Sequence, residues 1–221
     1  MNILAIDSAT EACSAALLRE DGVVFSEFEI APRQHNKLLP EMMEQVLATS
    51  GVAKQSITHC AFSNGPGAFT GIRIAAAQAQ GIGIALGIPL LPISTLAVLA
   101  QTGLDRSTAK HILVALDARM QEIYWAVYDR DDDNRARLVG EERLSRVDDI
   151  SIDNEVEYGV GHGWVEALRD RVNYTVDYEL LPDARAMLKL AESAVIQQFG
   201  VDATRVEINY LRNQVAEKSK I

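Results

Sequence analysis

The chain has 221 residues, 48% of them hydrophobic, so it can bury a substantial core and fits one large domain or two small ones. Its 21 Lys and Arg stand against 31 Asp and Glu, a formal net charge of -10, which disfavours autonomous binding to a phosphate backbone and docking on an anionic membrane. No stretch supplies the roughly 20 apolar residues of a spanning helix, and the first ten residues read as a strand without a signal peptide's charged start and cleavage site, so a cytoplasmic protein is expected.

Ile3 to Ile6 is a short apolar run ending at Asp7, and Ser8 to Glu11 then turns the chain. Alternation from Cys13 to Leu18 and a second run from Val23 to Ile30, joined through Asp21-Gly22, predict an antiparallel meander. Leu38, Leu39, Met42, Met43, Val46 and Leu47 recur at a helical period over Asn36 to Ser50, and Gly51 supplies the stop. Pro40 is tolerated only near the start of such a helix. A strand over Thr58 to Ser63 runs into Asn64-Gly65-Pro66-Gly67-Ala68-Phe69-Thr70-Gly71, and a long helix then extends towards Gly87.

Pro89 to Ile93 predicts a further strand, Ser94 the N-cap of a short helix, and the polar stretch from Gly103 to Lys110 a boundary between two lobes. Strands follow at Ile112 to Leu116 and Ile123 to Tyr128, with the charged Asp129 to Arg137 as a solvated turn. Pro182 to Phe199 has a helical pattern, and Ala216 to Ile221 is expected to fray.

Several residues suggest chemistry. An Asp ending a first strand, followed by a hydroxyl-rich turn, can place Asp7, Ser8 and Thr10 beside a phosphate or its magnesium ion; the alternative is a hairpin closed by side-chain to backbone bonds. Three glycines and a proline from Gly65 to Gly71 demand special backbone angles at a strand-to-helix junction, where amides could receive an anion with Thr70 and Arg73 in support. The loop is not a Walker A sequence, because Ile72 and Arg73 follow Gly71 where Lys and Ser or Thr are needed.

Ala75, Ala79 and Gly83 fall at successive i,i+4 positions, a strip that lets another helix approach. The preceding helix spreads its apolar residues over about half its circumference, wider than one core stripe needs. Leu39, Met42, Met43, Val46, Ala75, Ala79 and Gly83 are therefore expected at a protein interface, with wholly internal packing as the alternative.

Cys13 and Cys60, the two cysteines, lie in apolar stretches without metal spacing, and buried free thiols are expected. His35 lacks a second His four residues on, where Leu39 stands, so no metal site is expected. The turn Gly159-Val160-Gly161-His162-Gly163 reads as structural, with a ligand loop carrying His162 as the alternative.

Leu4-Ala5-Ile6-Asp7-Ser8-Ala9-Thr10, Gly65-Pro66-Gly67-Ala68-Phe69-Thr70-Gly71-Ile72-Arg73, Leu116-Asp117-Ala118-Arg119 and Tyr210-Leu211-Arg212 resemble the TsaB family, formerly YeaZ, over nearly the whole chain. The resemblance implies an α/β protein of the actin-like ATPase (ASKHA) fold with two RNase-H-like lobes, the first over 1–104 with partner-binding helices and the second over 105–221, its tail from about 206 packing back on the first. It implies a non-catalytic accessory subunit that binds and supports a TsaD-type transferase in N6-threonylcarbamoyladenosine (t6A) modification of tRNA. Implied partners are that transferase and a TsaE-type ATPase, a second copy when the chain is alone, and tRNA only indirectly. No cofactor of its own is implied, although a nucleotide at the partner interface is compatible with the resemblance. Two other readings stay open: a glycoprotease-like peptidase using Asp7, Cys13 and His35, and a stand-alone actin-like ATPase using Asp7 and the Gly65–Gly71 loop.

Overall fold

A computed structural model describes residues 1–152 and 155–212; the expected fraying at Ala216–Ile221 lies outside them. The first sheet has strand order β3-β2-β1-β4-β5, built from β1 (Ile3–Asp7), β2 (Ala12–Leu18), β3 (Val24–Ile30), β4 (His59–Ser63) and β5 (Leu90–Ile93). The first three form the antiparallel meander read in the sequence, and β1, β4 and β5 run parallel. Such parallel crossovers need covering helices, here α1 (His35–Ser50) and α2 (Phe69–Leu86), and α3 (Thr95–Asp105) follows β5.

The second sheet repeats this order strand for strand. A meander of β6 (His111–Arg119), β7 (Glu122–Arg130) and β8 (Ala136–Arg146) is followed by β9 (Tyr158–Val160) and β10 (Thr175–Asp177), both parallel to β6. Its helices are α4 (Glu166–Arg169) and α5 (Ala184–Ile196). The charged turn expected over Asp129 to Arg137 is shorter than that, because β7 continues to Arg130 and β8 starts at Ala136.

Each lobe lends its last helix to the other. Leu96, Leu99, Ala100 and Leu104 of α3 pack with Ile112, Val114 and Leu116 of β6. Ala184, Met187, Leu188 and Ala191 of α5 pack on Ile3, Ala5, Ala16 and Ala61 of the first sheet. The sheets therefore divide between β5 and β6, but the helices do not follow an expected division at 104 and 105. The chain first returns to the first lobe at Ala184, where the apolar stripe of α5 covers the face of that sheet that α1 and α2 leave open, and the segment from 206 packs back there as expected, with Val206 and Ile208 against its core.

The α1 and α2 residues expected at a partner interface are corrected by their burial. Leu39, Val46, Ala75 and Ala79 are 0% exposed, Met42 and Met43 8% and 9%, and Gly83 is buried with its bare Cα against Leu90 and Ala203. They form the first-lobe core with Leu4, Ile6, Cys60 and Phe62. The i,i+4 spacing correctly placed them on one face; that face is turned to the sheet.

Candidate functional site: the glycine elbow and the interlobe cleft

At the carboxyl end of the first sheet, β1 delivers Asp7 and the Ser8–Glu11 turn against the loop between β4 and α2. Asp7 is fully buried, and its Oδ1 accepts the Ala9 N–H at 3.1 Å. Its Oδ2 has no hydrogen-bond partner among the described residues. Burial pushes this carboxyl up to about 7, with the Ala9 amide opposing the shift and the Asp183 carboxylate adding to it.

Three further elbow groups bond within the chain, whereas Ser63 Oγ and Asn64 Oδ1 have no hydrogen-bond partner among the described residues. Ser8 Oγ donates to the Gly71 carbonyl at 2.9 Å, Thr10 Oγ1 accepts the Ala12 N–H at 3.3 Å, and the Ala68 N–H donates to the Ala9 carbonyl at 2.7 Å. A Cβ on Gly67 would lie 2.4 Å from the Ala9 carbonyl oxygen, and one on Gly71 would lie 1.9 Å from that of Ser8. Gly65, at φ +105°, sits under the Asn209 carbonyl with room for no side chain. These glycines let two backbones touch, and the hydroxyls that sequence reading aims at a phosphate turn inward instead. Of the eight residues singled out for a phosphate loop, Asp7, Ser8, Thr10, Gly65, Gly67 and Gly71 come together. Thr70 and Arg73 face outward from the first turn of α2. Arg73 stacks its guanidinium 3.4 Å from the Phe69 ring centroid and donates from Nε to the Tyr210 hydroxyl at 3.0 Å.

Beside the elbow, a cavity of about 370 Å³ opens between the lobes. Thr10, Glu11, Gly67 and Phe69 line it from the first lobe, Leu116, Asp117, Met120 and His162 from the second, and Tyr210 and Arg212 from the chain's end. His162 Nδ1 accepts the Asp117 N–H at 3.1 Å, which leaves the ring proton on Nε2, 3.6 Å from Glu11 Oε2 across the cleft. The β6–β7 hairpin reaches the cleft with Arg119, Met120 and Gln121 all at positive φ. No glycine marks that turn, so sequence reading misses it. Glu142, Asn209 and the Arg212–Glu122 ion pair were missed as well, because their partners are distant in sequence: Glu142 lies 48 positions from Ser94 and 67 from Asn209, and Arg212 lies 94 from Ala118.

The nucleophile arrangement imagined for a peptidase is poorly served. Cys13 is a free, buried thiol pushed up to about 12 by burial, then by the Asp7 and Glu29 carboxylates, the reverse of thiolate activation. His35 uses Nε2 on the Ala12 carbonyl at 3.2 Å. Cys60 is likewise free and buried. Among the described residues, no three His, Cys, Asp or Glu side chains gather as metal ligands, and no helix is long and apolar enough to cross a membrane.

Two mixed five-stranded sheets of one strand order, flanked by helices around a central cleft, define an α/β protein of the actin-like ATPase class with RNase-H-like lobes. The chain is 38% identical to the tRNA threonylcarbamoyladenosine biosynthesis protein TsaB of Escherichia coli K12, covering 99% of this chain and 97% of that protein. It belongs to the TsaB (YeaZ) family. A protein of the same name from Haemophilus influenzae is 34% identical over 99% of this chain and 96% of its own length. The family model described as "TsaD: tRNA N6-adenosine threonylcarbamoyltransferase" matches residues 17–157. Among solved structures, YeaZ from Pseudomonas aeruginosa superposes with a TM-score of 0.87 at 37% identity, covering 93% of this chain and 98% of that one. An uncharacterized Pseudomonas aeruginosa protein described as similar to peptidase YEAZ gives 0.89 at 38% identity, covering 96% and 99%.

Proposed function

We propose that this chain is a non-catalytic accessory subunit that binds and supports a TsaD-type transferase in t6A modification of tRNA. Threonylcarbamoyladenosine biosynthesis is the role carried in the names of its full-length relatives. The observation that carries the accessory reading is the closed elbow: the turn after β1 lies against the loop, with the Ala68 N–H donating to the Ala9 carbonyl and Gly67 and Gly71 set close to the Ala9 and Ser8 carbonyls, so backbone stands where a phosphate-binding loop would receive its anion. The raised thiol of Cys13 disfavours the peptidase reading, and the occupied elbow disfavours a stand-alone ATPase.

The proposed partner face is the outward side of the two helices whose inner sides form the core. On α2, Ala77, Gly81, Ile84 and Ala85 are exposed, Ile84 at 69%; Glu41 and Gln45 are exposed on α1. Small residues beside one protruding isoleucine let a helix approach closely. In isolation the same face would pair two copies. With a net charge of -10, the subunit meets tRNA only through partners that hold the RNA, a TsaE-type ATPase joins that assembly in the cytoplasm, and any nucleotide is held at the partner interface.

Reconstitution tests this reading. The TsaD-type and TsaE-type proteins of the same organism, supplied with substrate tRNA, should form t6A only when this chain is added, and the chain alone should turn over neither peptide nor ATP. Full modification in its absence, or useful turnover by the isolated chain, would overturn the proposal.

A further inference from the structure

After the last 3-10 turn, residues 206–212 run across the mouth of the cleft, and their polar contacts divide between the two lobes. Towards the first lobe, the Asn209 N–H donates to the Asn64 carbonyl at 2.8 Å and the Tyr210 hydroxyl accepts from Arg73 Nε at 3.0 Å. Towards the second, Asn209 Nδ2 donates to Glu142 Oε2 at 3.1 Å, and Arg212 donates to the Ala118 carbonyl at 2.9 Å while pairing with Glu122 at 2.5 Å. The Arg212 and Glu122 side chains are only 17% and 28% exposed, so solvent screens this pair less than it does the surface pairs elsewhere.

Glu142 ties the arrangement together. Its Oε1 accepts the Tyr128 hydroxyl at 2.8 Å from within the second sheet, and it also takes the hydroxyl of Ser94, the N-cap of α3. One carboxylate thus joins the second sheet, the start of the helix between the lobes and the terminal segment. The segment seats on the bare Cα of Gly65, where a Cβ would stand 2.6 Å from the Asn209 carbonyl oxygen.

We infer that residues 206–212 are an intramolecular strap that clamps the two lobes together and sets the width of the interlobe cleft, with Glu142 and Glu122 as its anchors on the second lobe. A terminal segment that merely covered one lobe would satisfy its polar groups there. This one bonds to both, so the cleft cannot widen while all five contacts persist. The exchanged helices α3 and α5 join the lobes through apolar packing, which tolerates small sliding movements; directional hydrogen bonds and an ion pair do not. Tyr210 and Arg212 also line the cavity, so release of the strap opens one of its walls.

The test uses the full chain carrying Asn209→Ala and Arg212→Ala together. Hydrogen exchange should accelerate about tenfold or more at the Asn209 amide, as expected for loss of charge-assisted bonds, while amides of β6 and β7 stay protected. In parallel, spin labels are placed at the exposed positions Thr70 and Glu141 through Thr70→Cys and Glu141→Cys; Cys13 and Cys60, buried and with raised thiols, stay unlabelled. The label separation should lengthen and broaden in the strap variant. Unchanged exchange at Asn209, or a freed strap with an unchanged label separation, overturns the inference. Should the double variant lose protection in its core as well, Asn209→Ala alone, which removes one bond and no charge, is read by the same two measurements and decides.

Discussion

The two lobes use one elbow and fill it differently. In the first, Gly67 and Gly71 press on the carbonyls of the turn after β1; in the second, Gly161 and Gly163 press on the Ala115 backbone of β6, at 2.3 and 2.6 Å from a built Cβ. Each is sealed by a backbone bond, Ala68 N–H to Ala9 at 2.7 Å and Gly163 N–H to Ala115 at 2.9 Å. Around this shared device the contents diverge. Among the described residues, most buried polar and charged side chains, Asp7, Ser8, Thr10, Ser14, His35 and Ser63 among them, belong to the first sheet and its loops and α1, and those that reach the second lobe, Thr95, Gln101 and Thr102, are brought by α3. The second core is aliphatic and aromatic, with Trp164 bonding its indole N–H to the Leu113 carbonyl at 3.3 Å. Its α4 has four residues where α2 has 18. The difference teaches that close backbone packing at the elbow sustains the strand order, whereas buried polar groups and long helices are separable from it.

If the elbows are equivalent, they should be equally intolerant. Gly71→Ala and Gly163→Ala should each cost about 4 kcal/mol or abolish folding, since backbone cannot retreat as a flexible side chain does. Denaturant titration of both variants checks this; a mild effect at Gly163 beside a severe one at Gly71 would break the equivalence.

The buried carboxyl distinguishes the lobes next. Asp7 titrates near 3.8 in an unfolded chain and at about 7 in the folded one, because burial disfavours its charged form. Between those values the native state binds the extra proton, so stability is fullest below pH 4 as far as this group goes and falls as pH rises to 7. The loss is on the order of a few kcal/mol. Asp7→Asn, which keeps an acceptor for the Ala9 amide, should flatten that slope in melts from pH 4 to 8. An unchanged slope would assign it to other groups.

Legibility in the sequence follows the same division. In the first lobe, long periodic runs in α1 and α2 and clean strand limits at Asp7 and Ser63 made each element readable. In the second, β9 and β10 have three residues each and α4 four, too short for any period to declare itself. The α5 helix was readable but its destination was not, because an amphipathic pattern names a buried face and not the sheet that buries it. The same limit turned the Ala75, Ala79 and Gly83 strip from an expected interface into core. At the elbow the glycines were legible as a requirement for special backbone. That the requirement served contact with Ser8 and Ala9 depended on positions some 60 residues apart.

The exchange of α3 and α5 gives a smaller but sharper test. Leu99→Ala and Met187→Ala should each cost about 3 kcal/mol through the cavity they leave. Their local effects should cross over: Leu99→Ala should loosen amides in β6 and β7, and Met187→Ala those in β1 and β2. Hydrogen exchange that loosened each variant's preceding sheet instead would mean that the helices serve the lobes they follow in sequence.

The smallest effect on folding should carry the largest consequence for assembly. Ile84 projects from α2 at 69% exposure, with Gly81 and Ala85 exposed beside it. Leu138, 41% exposed on β8, supplies a matched apolar surface on the other lobe. Ile84→Arg and Leu138→Arg should each change stability by less than about 0.5 kcal/mol, since neither fills a core. If the partner face belongs to the first lobe, Ile84→Arg should weaken binding of the TsaD-type protein by about 2 kcal/mol, roughly 30-fold, because a charge would be buried where a helix must approach closely. Leu138→Arg should leave that affinity unaltered. Calorimetric titration of both variants decides between the lobes: equal affinities would remove α2 from the interface, and a loss confined to Leu138→Arg would move the interface to the second sheet.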